Sequence, residues 1–186
     1  MASKAAIGTG TPALKTADGL PCTVRVKLAA DLLRSFGELR ISALGASMAP
    51  AIFPGDVLTI RRLDAAAIQS GDIVLSTHDG RFFAHRVVSK SELSGGVRLL
   101  TRGDALRQAD PPVGESELLG KVVCVERGAM KVPVLLDLTW PQKCLQWGIR
   151  RSNLILRLLL HFHSLRRYRW RAAELCAAEI GIPRCS

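Results

Sequence analysis

Ser47 sits in the hexapeptide GASMAP. A serine hydroxyl is a weak nucleophile until a neighbouring base takes its proton. Whether Ser47 does chemistry therefore depends on the bases the chain can bring to it. There are four histidines, His78, His85, His161 and His163. His78 borders an Asp-Gly turn signal, and His161 and His163 fall in a basic C-terminal stretch. His85 lies inside the strand-like run FFAHRVV, where a ring is held in one direction, as a general base must be. Strand alternation points His85 and Arg86 to opposite faces. A neutral imidazole base also needs an acceptor on its other ring nitrogen. TRGDALRQADPP supplies two candidates, Asp104 and Asp110, although Gly-Asp and Asp-Pro are equally ordinary loop chemistry.

The loop around Ser47 has a physical reading of its own. Pro50 fixes its own φ and pushes the preceding residue out of helical conformation, which predicts a turn with the Ser47 hydroxyl outward. The Ser47 backbone N–H is the expected oxyanion donor. Met48 suits either a packing role beneath the loop or a wall of a substrate pocket.

These residues must be positioned by the elements around them. From Leu39 onward, short apolar runs are cut by Gly, Pro and Asp: LRISAL, DVLTIRRL, DIVLST, RFFAHRVV, GVRLLTR and LLGKVVCVE. That spacing predicts a mainly β domain, a small barrel or folded sheet. PGD and SGD each precede a strand-like run and mark turns, and the Asp-Gly of THDGR predicts a type I′ hairpin. Upstream, the apolar spacing predicts a helix around Lys27 to Phe36, with Gly37 as its cap. Residues 1–20, rich in Ala, Gly, Thr and Ser, read as a mobile leader. KVPVLLDL reads as a last strand or a connector. Pro141 can open a helix, and helical texture continues from there almost to the C-terminus. The expected organisation is a leader (1–20), an N-terminal helix (21–38), a catalytic β domain (39–130) and a helical basic tail (131–186).

The chain has 186 residues, 48% of them hydrophobic, which excludes global disorder. Its net charge of +10 favours an anionic partner. Five scattered cysteines form no C-x-x-C pair and match no zinc spacing, so they read as reduced thiols with no metal site. No cofactor is called for. The N-terminus has no continuous apolar core of a secretory signal, and no apolar run is long enough to span a bilayer. The expected location is therefore cytoplasmic or peripheral to a membrane. SNLILRLLLHFHSLRRYRW is too short and too interrupted to span a bilayer, but its apolar, aromatic and arginine content suits either an interfacial helix or a helix covering the β domain. An anionic membrane is thus a candidate partner, while nothing points to a specific nucleic acid.

Four stretches, GASMAPAIFPGDVLTIRR, GDIVLSTHDGRFFAHRVV, TRGDALRQAD and LLGKVVCVERG, resemble in order the sequence boxes of the signal peptidase I and LexA-like serine peptidase superfamily. The resemblance runs from about Leu39 to Gly128. A histidine at position 85, within HRV, is similar to the Ser-His branch of archaea and the endoplasmic-reticulum complex, where other branches use lysine. The resemblance implies a serine endopeptidase cleaving an extended peptide or preprotein. Ser47 is then the nucleophile, His85 the base, and Asp104 and Asp110 supporting carboxylates; spacing does not separate the two, with Asp110 the favoured partner for orienting His85 and Asp104 a structural carboxylate. It also implies a LexA-like self-cleaving regulator or a non-catalytic binding module as alternatives. The chain departs from the pattern in three places. Gly45 stands where some relatives carry a serine that aids the oxyanion hole, and Leu106 stands where an asparagine is usual. The chain before Ser47 carries no anchoring helix.

Overall fold

The computed structural model describes residues 13–14, 21–93, 96–134, 136–152 and 154–165. The six apolar runs each become a strand: β2 (Glu38–Ser42), β3 (Val57–Arg61), β4 (Ile73–His78), β5 (Arg81–Leu93), β6 (Gly96–Arg102) and β7 (Leu118–Arg127). A short β1 (Ala13–Leu14) precedes α1 (Cys22–Phe36), and β8 (Met130–Val132) follows β7. The fold is mainly β. One sheet runs in the order β1-β2-β3-β7-β4-β5-β6, with β8 on β7. Every pairing is antiparallel except β1 with β2. Among the described residues the two ends of this path do not pair with each other, so the sheet is open.

Alternation along β4 explains why the sheet folds over. Ile73 and Leu75 join one core cluster, with Leu39, Leu58, Ile60 and Val122, while Val74 joins a second, with Ile68, Val87, Leu99 and Val113. Both faces of β4 are therefore covered along Ile73–Leu75, which is why these three positions read as consecutive apolar residues. Ala29 and Leu33 of α1 close the first cluster. Burying each such leucine stabilises the fold by about 1.5–3 kcal/mol.

The turns follow their residue types. Asp79 (φ 48°) and Gly80 (φ 70°) both occupy the left-handed region, as a type I′ hairpin between β4 and β5 requires. The aspartates of PGD and SGD have matching duties. Asp56 Oδ2 accepts from the Phe53 N–H at 2.9 Å, and Asp72 Oδ2 from the Gln69 N–H at 2.9 Å. Each also ion-pairs at 2.7 Å with a basic residue of β7, Arg127 and Lys121 respectively. Both turns are thereby pinned to the sheet's centre.

Several elements differ from expectation. Ala13–Leu14, within the expected leader, pairs with Arg40–Ile41 as a parallel edge strand; the rest of residues 1–20 lies outside the described residues. α1 begins at Cys22, inside the expected 21–38 helical unit but more than a turn before the Lys27 start read from the apolar spacing, and ends where Gly37 (φ 73°) donates to Leu33 O at 3.0 Å. The early start lies over Val24 and Val26, whose weak helix propensity is offset by packing of the helix on β2 and β5. The tail is two helices and not one: α2 (Trp140–Arg151), then residues 154–165, here α3. Pro141 stands in the first turn of α2, and Gln142 Oε1 accepts from the Thr139 N–H at 2.9 Å. The break falls at Ser152, whose Oγ accepts from the Leu154 N–H at 3.3 Å and so opens α3. The expected helical texture beyond residue 165 lies outside the described residues. No helix among the described residues is long and apolar enough to cross a membrane.

Candidate active site

Ser47 lies on the irregular segment between β2 and β3. That segment is tied across its base, where Ala43 N donates to Asp56 O at 2.8 Å. It is anchored inward by Met48 and Ile52, both in the first core cluster. The Ala49–Pro50 peptide is cis. Met48 serves both expected roles, since it is buried in the core and also lines the cleft beside Ser47.

His85 is held from below and beside. On β5 it stands opposite Val74 of β4, and only 3% of it is exposed. Its Nε2 is 2.9 Å from Ser47 Oγ, and its Nδ1 is 2.7 Å from Asp110 Oδ2. A carboxylate at Nδ1 favours the tautomer with its proton there, which leaves the Nε2 lone pair facing the serine hydroxyl. Asp110 is fixed in turn. Its N–H donates to Thr101 O at 2.8 Å, and the Thr101 hydroxyl donates to Asp110 Oδ2 at 2.7 Å. Thr101 is 1% exposed and is the first residue of TRGD; only its place in that motif marked it in the sequence.

Asp104 is brought to the same loop but not to His85. Its Oδ1 accepts from Arg86 Nε at 3.0 Å and its Oδ2 from Arg86 Nη2 at 2.9 Å, a forked ion pair with both side chains largely buried. Arg86 Nη1 also donates to Gly71 O at 2.8 Å and Leu136 O at 3.1 Å. Adjacent residues on β5 thus sort the two aspartates by opposite faces of the strand. The loop lies directly on the Ser47 backbone. Ala105 N donates to Ser47 O at 2.8 Å, and a Cβ on Gly103 would meet Ser47 O at 2.6 Å. That contact is why residue 103 has no side chain.

A cleft of about 280 Å³ opens beside Ser47 and His85. Ile41, Leu58, Leu75 and Phe82 make much of it apolar, and residues 41–45 form one wall. It presents an aligned carboxylate, imidazole and hydroxyl beside an apolar trough. The remaining histidines stand elsewhere. His78 is half-exposed beside Glu117, and His163 of α3 stacks on Phe53 with centroids 4.4 Å apart.

A family model described as Peptidase S24-like matches residues 1–123. The chain belongs to this family, within the superfamily of serine peptidases and LexA-like self-cleaving proteins. No curated protein matches the chain.

Proposed function

From membership in that family, we propose that the protein is a serine endopeptidase of signal-peptidase type, acting through Ser47 and His85 with Asp110 as the orienting carboxylate. The continuous Asp110–His85–Ser47 hydrogen-bonded chain carries this reading. His85 Nε2 takes the Ser47 proton as Oγ attacks the substrate carbonyl, and Asp110 stabilises the imidazolium that forms. The Ser47 N–H is the proposed donor to the developing oxyanion. His85 then returns its proton to the leaving amine, and water hydrolyses the acyl-enzyme by the same route. Asp104 takes no proton; it holds Arg86 and the loop. An extended peptide would lie along residues 42–45, beyond the edge where β1 pairs with Arg40–Ile41, as an added strand with alternate side chains in the apolar trough.

The test compares new protein N-termini in cells carrying the wild-type chain with those carrying Ser47→Ala or His85→Ala. The peptidase reading expects a set of N-termini lost in both variants, with unchanged circular dichroism. A set that persists in either variant rejects it.

A second reading is cleavage in cis. Ala13–Leu14 pairs in parallel with Arg40–Ile41, and β2 leads directly into the 41–45 wall. The chain's own N-terminal segment therefore starts along the edge that a substrate would use.

The proposed partner surface is an anionic membrane at the tail. Leu154, Leu158, Phe162 and Leu165 are exposed on α3, as are Trp140 and Trp147 on α2. From Leu138 to Ala173 the chain has no Asp or Glu, but it has Lys143 and a series of arginines. An apolar outer face within an acid-free basic segment is complementary to anionic lipid.

A further inference from the structure

The Asp104–Ala105 peptide unit is gripped on both sides. Its N–H, from Ala105, donates to Ser47 O at 2.8 Å. Its C=O, from Asp104, accepts from Arg150 Nε of α2 at 3.1 Å. One planar unit therefore links a guanidinium on the C-terminal helix to the backbone of the serine. A cation on the carbonyl polarises the amide and strengthens the bond its N–H makes.

The contact between α2 and this loop is reciprocal. Arg107 Nε donates to Arg150 O, and Arg107 Nη2 donates to Arg151 O at 3.2 Å. These are carbonyls at the end of α2, which lack partners within their own helix. Gln146 Nε2 reaches Asp104 Oδ1 at 3.4 Å. Burial, and then the like charge of Arg102, lower the Arg150 pKa, while Asp104 opposes them. α2 also lies beyond residues 1–123, the part matched by the family model.

We propose that Arg150 is a positioning residue for Ser47: through the Asp104–Ala105 peptide, α2 sets where the serine backbone, and hence its hydroxyl and N–H, stand relative to His85. It rests on the reading of Ser47 as nucleophile for its catalytic consequence, but not for the mechanical link. Without Arg150 the peptide can rotate away, and the Ser47 carbonyl loses its fixed donor. Arg150→Lys keeps the charge but loses the rigid Nε donor, so it gives partial rescue.

The test uses the full chain with two readouts. The first is amide hydrogen exchange at Ala105, followed by ¹⁵N NMR, with Ile60 and Val122 in the β3–β7 pairing as controls. Arg150→Ala is expected to speed Ala105 exchange roughly tenfold and leave the controls unchanged, with Arg150→Lys in between. The second is the rate at which a fluorophosphonate probe labels Ser47, read as limiting rate and half-saturating concentration. The limiting rate is expected to fall roughly tenfold or more, with half-saturation little changed. Unchanged Ala105 exchange in folded Arg150→Ala overturns the proposal; if that variant does not fold, unchanged exchange in Arg150→Lys does so. Failure of the probe to label the wild-type chain counts against the nucleophile reading alone, because exchange at Ala105 still decides the link.

Discussion

His85 and Arg86 are neighbours on β5, and each takes a different carboxylate of one loop: His85 Nδ1 lies 2.7 Å from Asp110 Oδ2, and Arg86 Nη2 lies 2.9 Å from Asp104 Oδ2. Strand alternation makes this division of labour possible. One aspartate holds His85 and the other braces the loop, so their substitutions have opposite signatures. Asp110→Asn presents the wrong groups to His85 Nδ1 and is expected to lower cleavage roughly a hundred- to ten-thousandfold, with the melting temperature shifted by only a few degrees. Asp104→Asn removes the charge from a buried forked ion pair and is expected to cost about 3 kcal/mol. For a chain of this length that corresponds to a melting temperature lower by roughly 6–12 °C. Thermal unfolding beside a cleavage assay separates the two. Equal loss of stability in both variants would refute the division.

The two glycines near Ser47 give a second contrast. A Cβ at position 103 meets Ser47 O at 2.6 Å, whereas one at position 45 comes no nearer than 4.0 Å, to Ser47 Oγ. Gly103→Ala must displace the Ser47 backbone, so cleavage is expected to fall at least about tenfold with a stability loss of roughly 1–3 kcal/mol. Gly45→Ser is expected to fold normally, and its hydroxyl enters the space beside Ser47 where the oxyanion develops. Its limiting rate is expected to stay at or above that of the wild-type chain. A Gly45→Ser variant with a clearly lower rate would show that position 45 contributes no donor geometry.

Much of this arrangement is legible in the sequence, for physical reasons. Each strand has Gly, Pro or Asp beside at least one of its ends, and the stretch of β4 buried on both faces, Ile73–Leu75, reads as consecutive apolar residues. The Ser47 loop, His85 and both aspartates stand out because their residue types carry chemistry at motif spacing. The early start of α1 does not, since Thr23, Val24 and Val26 are weak helix formers. The break at Ser152 left a faint mark, a Ser-Asn pair inside a helical pattern. The contact of Arg150 with the Asp104 carbonyl left none. It joins residues far apart in the chain, through a backbone atom that has no residue type.

The pairing of β1 with β2 bears on whether the chain cuts itself. If the N-terminal segment were a cis substrate, the purified protein would lose intact mass on prolonged incubation at raised pH. That loss would be independent of concentration and absent in Ser47→Ala. For an endopeptidase acting on other chains, the expected outcome is an unchanged intact mass at every concentration. Mass spectrometry of wild type and Ser47→Ala side by side checks this. First-order truncation in the wild type alone would favour the self-cleaving reading.

The tail prediction follows from the two faces of α3. Its inner face, with Ile155, Leu159 and His163, is half-buried, and His163 stacks on Phe53. A soluble helix covering a β domain would turn charges outward, yet four large apolar side chains of α3 are exposed. Lipid can cover them while the flanking arginines meet its headgroups, each contributing about 1 kcal/mol near an anionic surface. The full chain is therefore expected to co-sediment with vesicles rich in phosphatidylserine and to be released by high salt. It is expected to stay in solution with vesicles of phosphatidylcholine alone. Leu158→Glu and Phe162→Glu each place a charge on the outer face without touching the His163 contact. Both are expected to weaken sedimentation while leaving circular dichroism and peptide cleavage in solution unchanged. Wild-type protein that remains in the supernatant with anionic vesicles would reject lipid as the cover. Sedimentation unaffected by the Glu substitutions would assign binding to charge alone and leave the apolar face without a role at the membrane.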